Sequence, residues 1–191
     1  GRNVGASALT SNITASASGV TSNAAVLTVS AAPAVVAPTL AAGSVSAVSG
    51  ATVDLPITFN TGSASVAGLQ FNLTLPAGLS TGTVTAGAVL NAAAKSVTAN
   101  RSGNTWTFIV FGLNQTAIGS GSLLTAQLSI APGTAAGALS LPVSGVVYSD
   151  PAGAPIAAGT SANGAVTVTA PASVLTSIAI TPAAATIAAS G

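Results

Sequence analysis

The stretch Gly68-Leu-Gln-Phe-Asn-Leu-Thr-Leu75 decides the fold class. Leu69, Phe71, Leu73 and Leu75 alternate with Gln70, Asn72 and Thr74, so one face is apolar and the other carries amides and a hydroxyl. A period of two puts alternate side chains on opposite faces of a strand, and a half-buried strand is the structure that uses it. Pro76-Ala-Gly-Leu79 then breaks the pattern. The same alternation recurs on both sides. In Thr52–Phe59, Val53, Leu55, Ile57 and Phe59 share a face, opposite Thr52, Asp54, Pro56 and Thr58. Pro56 has no N–H to give to a ladder, which points to an edge strand or a bulge. In residues 124–130, Leu124, Ala126, Leu128 and Ile130 oppose Thr125, Gln127 and Ser129. "NTWTFIVFGL" (104–113) is apolar on both faces in its second half, as in a central strand or one covered on both sides. "GALSLPVSGVVYSD" (137–150) supplies one or two strands and "GAVTVTA" (164–170) closes the set.

Helix signals are almost absent. Only "AVLNAAAKS" (88–96) has the composition of a helical turn. Short strands separated by Gly/Pro turns predict an all-β sandwich. Around it, residues 1–30 read as a terminal hairpin, two strands joined around "SGVTSN". Residues 31–39 form a Pro/Ala-rich linker, 40–170 a complete sandwich, and 171–191 the first strands of another domain. "AVLTVSAAP" (25–33) and "AVTVTAP" (165–171) echo each other as a final strand followed by a proline exit.

Composition excludes several functions. Of 191 residues 49% are hydrophobic but only 3% are charged, against ~25% in an ordinary soluble domain. Histidine and cysteine are absent, which removes a Ser–His–Asp triad, a disulfide framework and the usual transition-metal ligands. Asp54 and Asp150 are the only side-chain carboxylates, on a strand face and in a turn, so no acid–base pair is expected. No catalytic residue, cofactor or metal site is assigned. Asp150 with backbone carbonyls of its turn is the one conceivable Ca²⁺ site, and a solvated turn cap is the plainer reading. Lys95, the sole lysine, is read as an exposed loop residue rather than a partner in a Lys–Asn cross-link. A net charge of +1 offers nothing to nucleic acid. No apolar run approaches the ~18 residues of a spanning helix, and six aromatics are too few for the girdles of a membrane barrel. "GRNVGASALT" has no apolar signal-peptide core, so a secreted protein would show here a mature or internal segment. Asn12, Asn72, Asn100 and Asn114 head N-x-S/T sequons, and abundant Ser and Thr offer O-glycosylation sites.

The order of features from about 40 to 169 resembles a cohesin domain. "SGATVDLPITF" (49–59) is similar to the family's G-x-x-V-x-V-P-V opening. "VAGLQFNLTLPAGL" (66–79) resembles its G-x-x-F-x-L-x-Y-D-P-x-x-L segment, and "GSLLTAQLSI" (121–130) its G-x-L-x-x-I-x-F strand. "GVVYSDPAGAPI" (145–156) with "NGAVTV" (163–168) resembles its ending. The ends, "NITASASGVTSNAAVLTVSA" (12–31) and "LTSIAITPAAATIAASG" (175–191), resemble bacterial Ig-like adhesin domains. The resemblance implies a jelly-roll β-sandwich with flanking Ig-like strands, in a secreted, surface-associated, multidomain bacterial protein. Cohesins recognise dockerins with polar and acidic groups on the F-x-L strand and its neighbours. Here those positions are Gly68, Gln70 and Asn72, with no carboxylate, and Leu75-Pro76 replaces the family's Tyr-Asp.

Two functions fit. The first is a subunit or repeat of a surface filament or stalk that polymerises with itself, head to tail, by strand addition. Its assembly strands would carry Ile13, Val26, Leu27 and Val29 at one end and Leu175, Ile178, Ile180 and Ile187 at the other. The second is a binding module for another surface protein or a glycan, with Trp106 and Tyr148 as candidate ligand contacts.

Overall fold

A computed structural model describes residues 9–31, 34–170 and 177. The described part begins with a ribbon: β1 (Leu9–Ile13) pairs antiparallel with β4 (Ala25–Val29), and β2 (Ser16–Ala17) with β3 (Val20–Thr21). Its tip is Ser18-Gly19, both at positive φ (49° and 80°), which is the two-residue primed turn whose twist suits a hairpin.

The sandwich follows, as β5 (Thr39–Ala42), β6 (Ser44–Val48), β7 (Thr52–Asn60), β8 (Gly68–Thr74), β9 (Leu79–Ala86), α1 (Ala88–Ala92), β10 (Ser96–Ser102), β11 (Thr105–Phe111), β12 (Gly121–Ile130), β13 (Gly137–Leu141), β14 (Val143–Ser149), β15 (Pro155–Ile156), β16 (Ser161–Ala162) and β17 (Gly164–Thr169). One five-stranded sheet runs β10-β11-β8-β14-β15 and a second β16-β5-β7-β12-β9; β13-β17-β6 forms a three-stranded sheet. Most pairings are antiparallel; β16 with β5 and β17 with β6 are parallel. Pro142 ends β13 and separates it from β14, so the 137–150 stretch yields two strands.

The alternation read in the sequence is the burial pattern. Leu69, Phe71 and Leu73 of β8, with Leu75 just beyond, are buried, as are Leu55, Ile57 and Phe59 of β7. Leu124, Ala126, Leu128 and Ile130 of β12 complete that wall. An aromatic seam crosses the core: Phe71 and Phe108 stack at 4.7 Å, and Trp106 tilts onto Phe108 at 4.6 Å. Such contacts add to the area each ring removes from water. The short helix over 88–92 buries Leu90.

Pro56 departs from expectation. β7 is a central strand, between β5 and β12, and Pro56 is paired in register with Thr125. On its other side β5 stops at Ala42, and the Gly43 N–H donates to the Pro56 carbonyl at 2.8 Å. The nitrogen without a hydrogen therefore falls where a ladder ends. A Cβ on Gly43 would lie 2.7 Å from the proline ring, so a glycine is what lets the chain turn there.

Candidate functional site

The two expected ligand contacts point inward. Trp106 is 3% and Tyr148 1% exposed, Trp106 against Phe108 and Tyr148 against Phe59 at 5.6 Å. Strand parity explains it: Trp106, Phe108 and Val110 share one face of β11, and that face is the core. Neither ring is available to a ligand, and both are corrected to core residues. Burial pushes the Tyr148 hydroxyl up from an ordinary pKa of 10.0 to about 12.

What the outer face of the β10-β11-β8-β14-β15 sheet presents is the other parity. Register places Thr98, Ile109, Gln70 and Val147 side by side across four strands. Ser96 lies opposite Phe111 at the next level. Ile109, Phe111 and Val147 are 40%, 50% and 55% exposed. A third level carries Asn100, Thr107, Asn72 and Ser144, where the Thr107 hydroxyl donates to Asn72 Oδ1 at 2.9 Å. The face thus carries an apolar band, interrupted by Gln70 between Ile109 and Val147 and bordered by hydroxyls and amides. Local sequence shapes it. Gly145 (φ 59°) sits in the bulge of β14 between Ser144 and Val147, and a Cβ there would come 2.7 Å from Asn72 Nδ2. The second half of β11 is apolar on both faces, as the sequence indicates, yet its outer half is left uncovered within the described residues.

At one end of the band lies a cavity of about 430 Å³. Gly68, Ile109, Phe111, Val147, Lys95 and the 150–153 turn line it. Asp150 caps that turn: its Oδ1 accepts from the Ala152 and Ala154 N–H groups at 2.9 and 2.8 Å. This is the turn-cap geometry, and among the described residues no cluster of three metal-ligating side chains exists. Asp54 is far off on β7, where Gln127 Nε2 reaches its Oδ1 at 3.4 Å.

Lys95 is the second correction. It is not an exposed loop residue but 6% exposed, and its Nζ donates to the Asn114 carbonyl at 2.7 Å. A turn and a distant glycine account for it. Ala94 (φ 50°) turns the chain out of α1, the Lys95 N–H closes onto the Leu90 carbonyl, and the side chain lies over Gly112. Of the sequons, Asn12 and Asn100 are exposed, Asn72 accepts from Thr107, and the Asn114 amide is bound to the Ala93 and Ala94 carbonyls.

Of the residues expected to mediate assembly, Ile13, Val26, Leu27 and Val29 are exposed on the β1–β4 ribbon. Leu175, Ile178, Ile180 and Ile187 lie outside the described residues.

A family model described as the cohesin domain matches residues 38–168. No curated protein matches the sequence. Among solved structures, a non-cellulosomal cohesin from the archaeon Archaeoglobus fulgidus is 19% identical at a TM-score of 0.60, covering 70% of this chain and 92% of that one. The seventh scaffoldin B type I cohesin from Pseudobacteroides cellulosolvens is 23% identical at 0.62, covering 74% and 98%. A cohesin–dockerin complex from Clostridium thermocellum contains a chain 15% identical at 0.60, covering 70% and 94%. At these identities the structures establish the shared jelly-roll sandwich. The last pairs a cohesin with a different module, a dockerin, and so overturns the expectation that the partner is a second copy in a head-to-tail polymer. Because the family model spans well over half of the 191 residues, in the order of strands the sequence laid out, this chain belongs to the cohesin family, whose domains are non-catalytic protein-binding modules.

Proposed function

We propose that the domain spanning 38–168 is the binding module of a larger surface or scaffold protein, and that it docks a dockerin-type module on the outer face of β10-β11-β8-β14. The observation that carries this is the exposed apolar set Phe111 and Ile109 on β11 and Val147 on β14, at 40–55% exposure, with Gln70 of β8 in register between Ile109 and Val147. A protein interface combines an apolar centre with a polar rim, and Thr98, Asn100, Thr107 and Asn72 supply such a rim, while Gln70 is a polar group at the centre. Cohesins solved with a dockerin support that partner class. With Gln70 and Asn72 on β8, this face would recognise its partner through neutral hydrogen bonds rather than carboxylates.

The ribbon at 9–29 fits the role of terminal strands of an Ig-like spacer domain. Leu9, Ile13, Val20, Val26 and Leu27 are each more than half exposed, on a hairpin too small to bury them by itself. Cohesins are typically extracellular, cell-surface scaffold components, and we place this chain there too; among the described residues no helix is long and apolar enough to cross a membrane.

The test is a binding screen of the full chain against a panel of dockerins, repeated with Ile109→Asp. A dockerin that binds the native chain and not the variant supports the reading. Binding unaffected by Ile109→Asp, or no binder in the panel, counts against it.

A further inference from the structure

Lys95 is buried at the margin of the cavity, with its ammonium on the Asn114 carbonyl. Lys95 precedes β10 and runs over Gly112, where an added Cβ would stand 2.8 Å from its Cδ and 3.6 Å from its Nζ. Asn114 fixes the far end: its amide is bound to the Ala93 and Ala94 carbonyls, its Oδ1 receives the Thr116 N–H at 3.1 Å, and its main-chain carbonyl takes the Lys95 Nζ. An ammonium has three hydrogens to donate, and one acceptor is present among the described residues. Lysine buries its stem readily but keeps its charged head toward water or an opposite charge, and the cavity is the opening that this ammonium borders. Neither carboxylate of the chain fills that place. Asp54 is on the other sheet beside Gln127. Asp150 also lines the cavity, but its Oδ1 is taken by two main-chain N–H groups of its own turn.

The cavity has room for a side chain. Gly68 leaves a depression in the outer row between Phe111 and Ser149, and about 430 Å³ opens there toward solvent with Lys95 at its margin. We propose that this cavity is a carboxylate-accepting subsite, in which a docking module inserts an Asp or Glu side chain against the Lys95 ammonium while its apolar residues cover Phe111 and Ile109. The proposal rests on the docking-face reading and adds to it the charge of the partner: acidic at this position. A charge-assisted hydrogen bond in a partly desolvated pocket is the kind of contact that fixes orientation and excludes partners of the wrong sign.

The test is an NMR titration of the ¹⁵N-labelled full chain with three small probes: the blocked (N-acetyl, methylamide) forms of glutamate, glutamine and leucine. The glutamate probe should give saturable shifts at the amides of Gly68, Gly112 and Gly153, and the glutamine probe should not. Lys95→Met should weaken the glutamate response roughly tenfold or more. Gly112→Ala, which keeps the charge but displaces the lysine stem, should also weaken it, and stands in if Lys95→Met fails to fold. Equal responses to glutamate and glutamine, a glutamate response that survives both variants, or no response to glutamate overturns the proposal. The leucine probe separates the two readings. Shifts at Ile109, Phe111 and Val147 alone leave the docking face standing without its acidic subsite, and silence there counts against the face itself.

Discussion

Phe108 is fully buried, stacked on Phe71 with Trp106 tilted onto it. Phe108→Ala should cost about 3–5 kcal/mol in urea unfolding, since lost transfer free energy and an unfilled cavity add. Tyr148 gives a second, pH-dependent test. Its folded pKa of about 12 lies above the unfolded 10.0, so below pH 10 both states hold the proton and stability is indifferent to this group. Between pH 10 and 12 the unfolded chain loses its proton first, and stability should fall by up to ~1.4 kcal/mol per pH unit. Tyr148→Phe should remove that slope. The fate of these aromatics was only half legible. Alternation says that Trp106 and Phe108 share a face; it does not say whether that face or the one with Ile109 and Phe111 is buried, because both are apolar. The burial of Lys95 is hidden from the sequence for a related reason. Its burial depends on Gly112 and Asn114, seventeen and nineteen residues further on, and a single lysine after an Ala-rich turn carries no local sign of them.

Strands were far more legible than their neighbours. β7, β8, β12 and β17 each announce themselves by alternation, and the helical turn by its composition. Pairing is a different matter: β8 joins β11 and β14, and β7 joins β5 and β12, through contacts that no local pattern encodes. Pro56 shows the consequence. A proline in a strand argues for an edge only while its neighbours are unknown, and here the end of β5 at Ala42 supplies a gap within a central position. The bulge in β14 is the element that sets the outer face, since it brings Val147 into line with Gln70 and Ile109. Gly145→Ala would put a Cβ at φ 59° and against Asn72. It should cost about 1–3 kcal/mol in thermal or urea unfolding. It should also shift the amide signals of Asn72 and Val147 while leaving those of β9 and β12 in place.

At the scale of the molecule, the order of strand motifs along 40–169 was enough to suggest a cohesin, and a family model spanning 38–168 agrees. Partner choice was not legible. The expectation of head-to-tail strand addition between copies fails, because several related structures pair a cohesin with a different module. Composition reports how sticky a surface is, not what it meets. Among the described residues the core belongs to the sandwich alone: every buried hydrophobic residue lies between Leu40 and Val168. Removing residues 1–33 should therefore leave a single cooperative unfolding transition with an unchanged midpoint, measurable by calorimetry. On this reading the uncovered β10-β11-β8-β14 face binds a dockerin-type partner. It is tested most directly by titration calorimetry of the full chain with a dockerin found to bind it, comparing Ile109→Asp on that face with Thr52→Asp, an exposed position on β7 of the other sheet. Loss of about 2 kcal/mol or more of binding free energy for Ile109→Asp, with Thr52→Asp unchanged, is the result expected of a central interface residue. Equal affinity for all three proteins would contradict it.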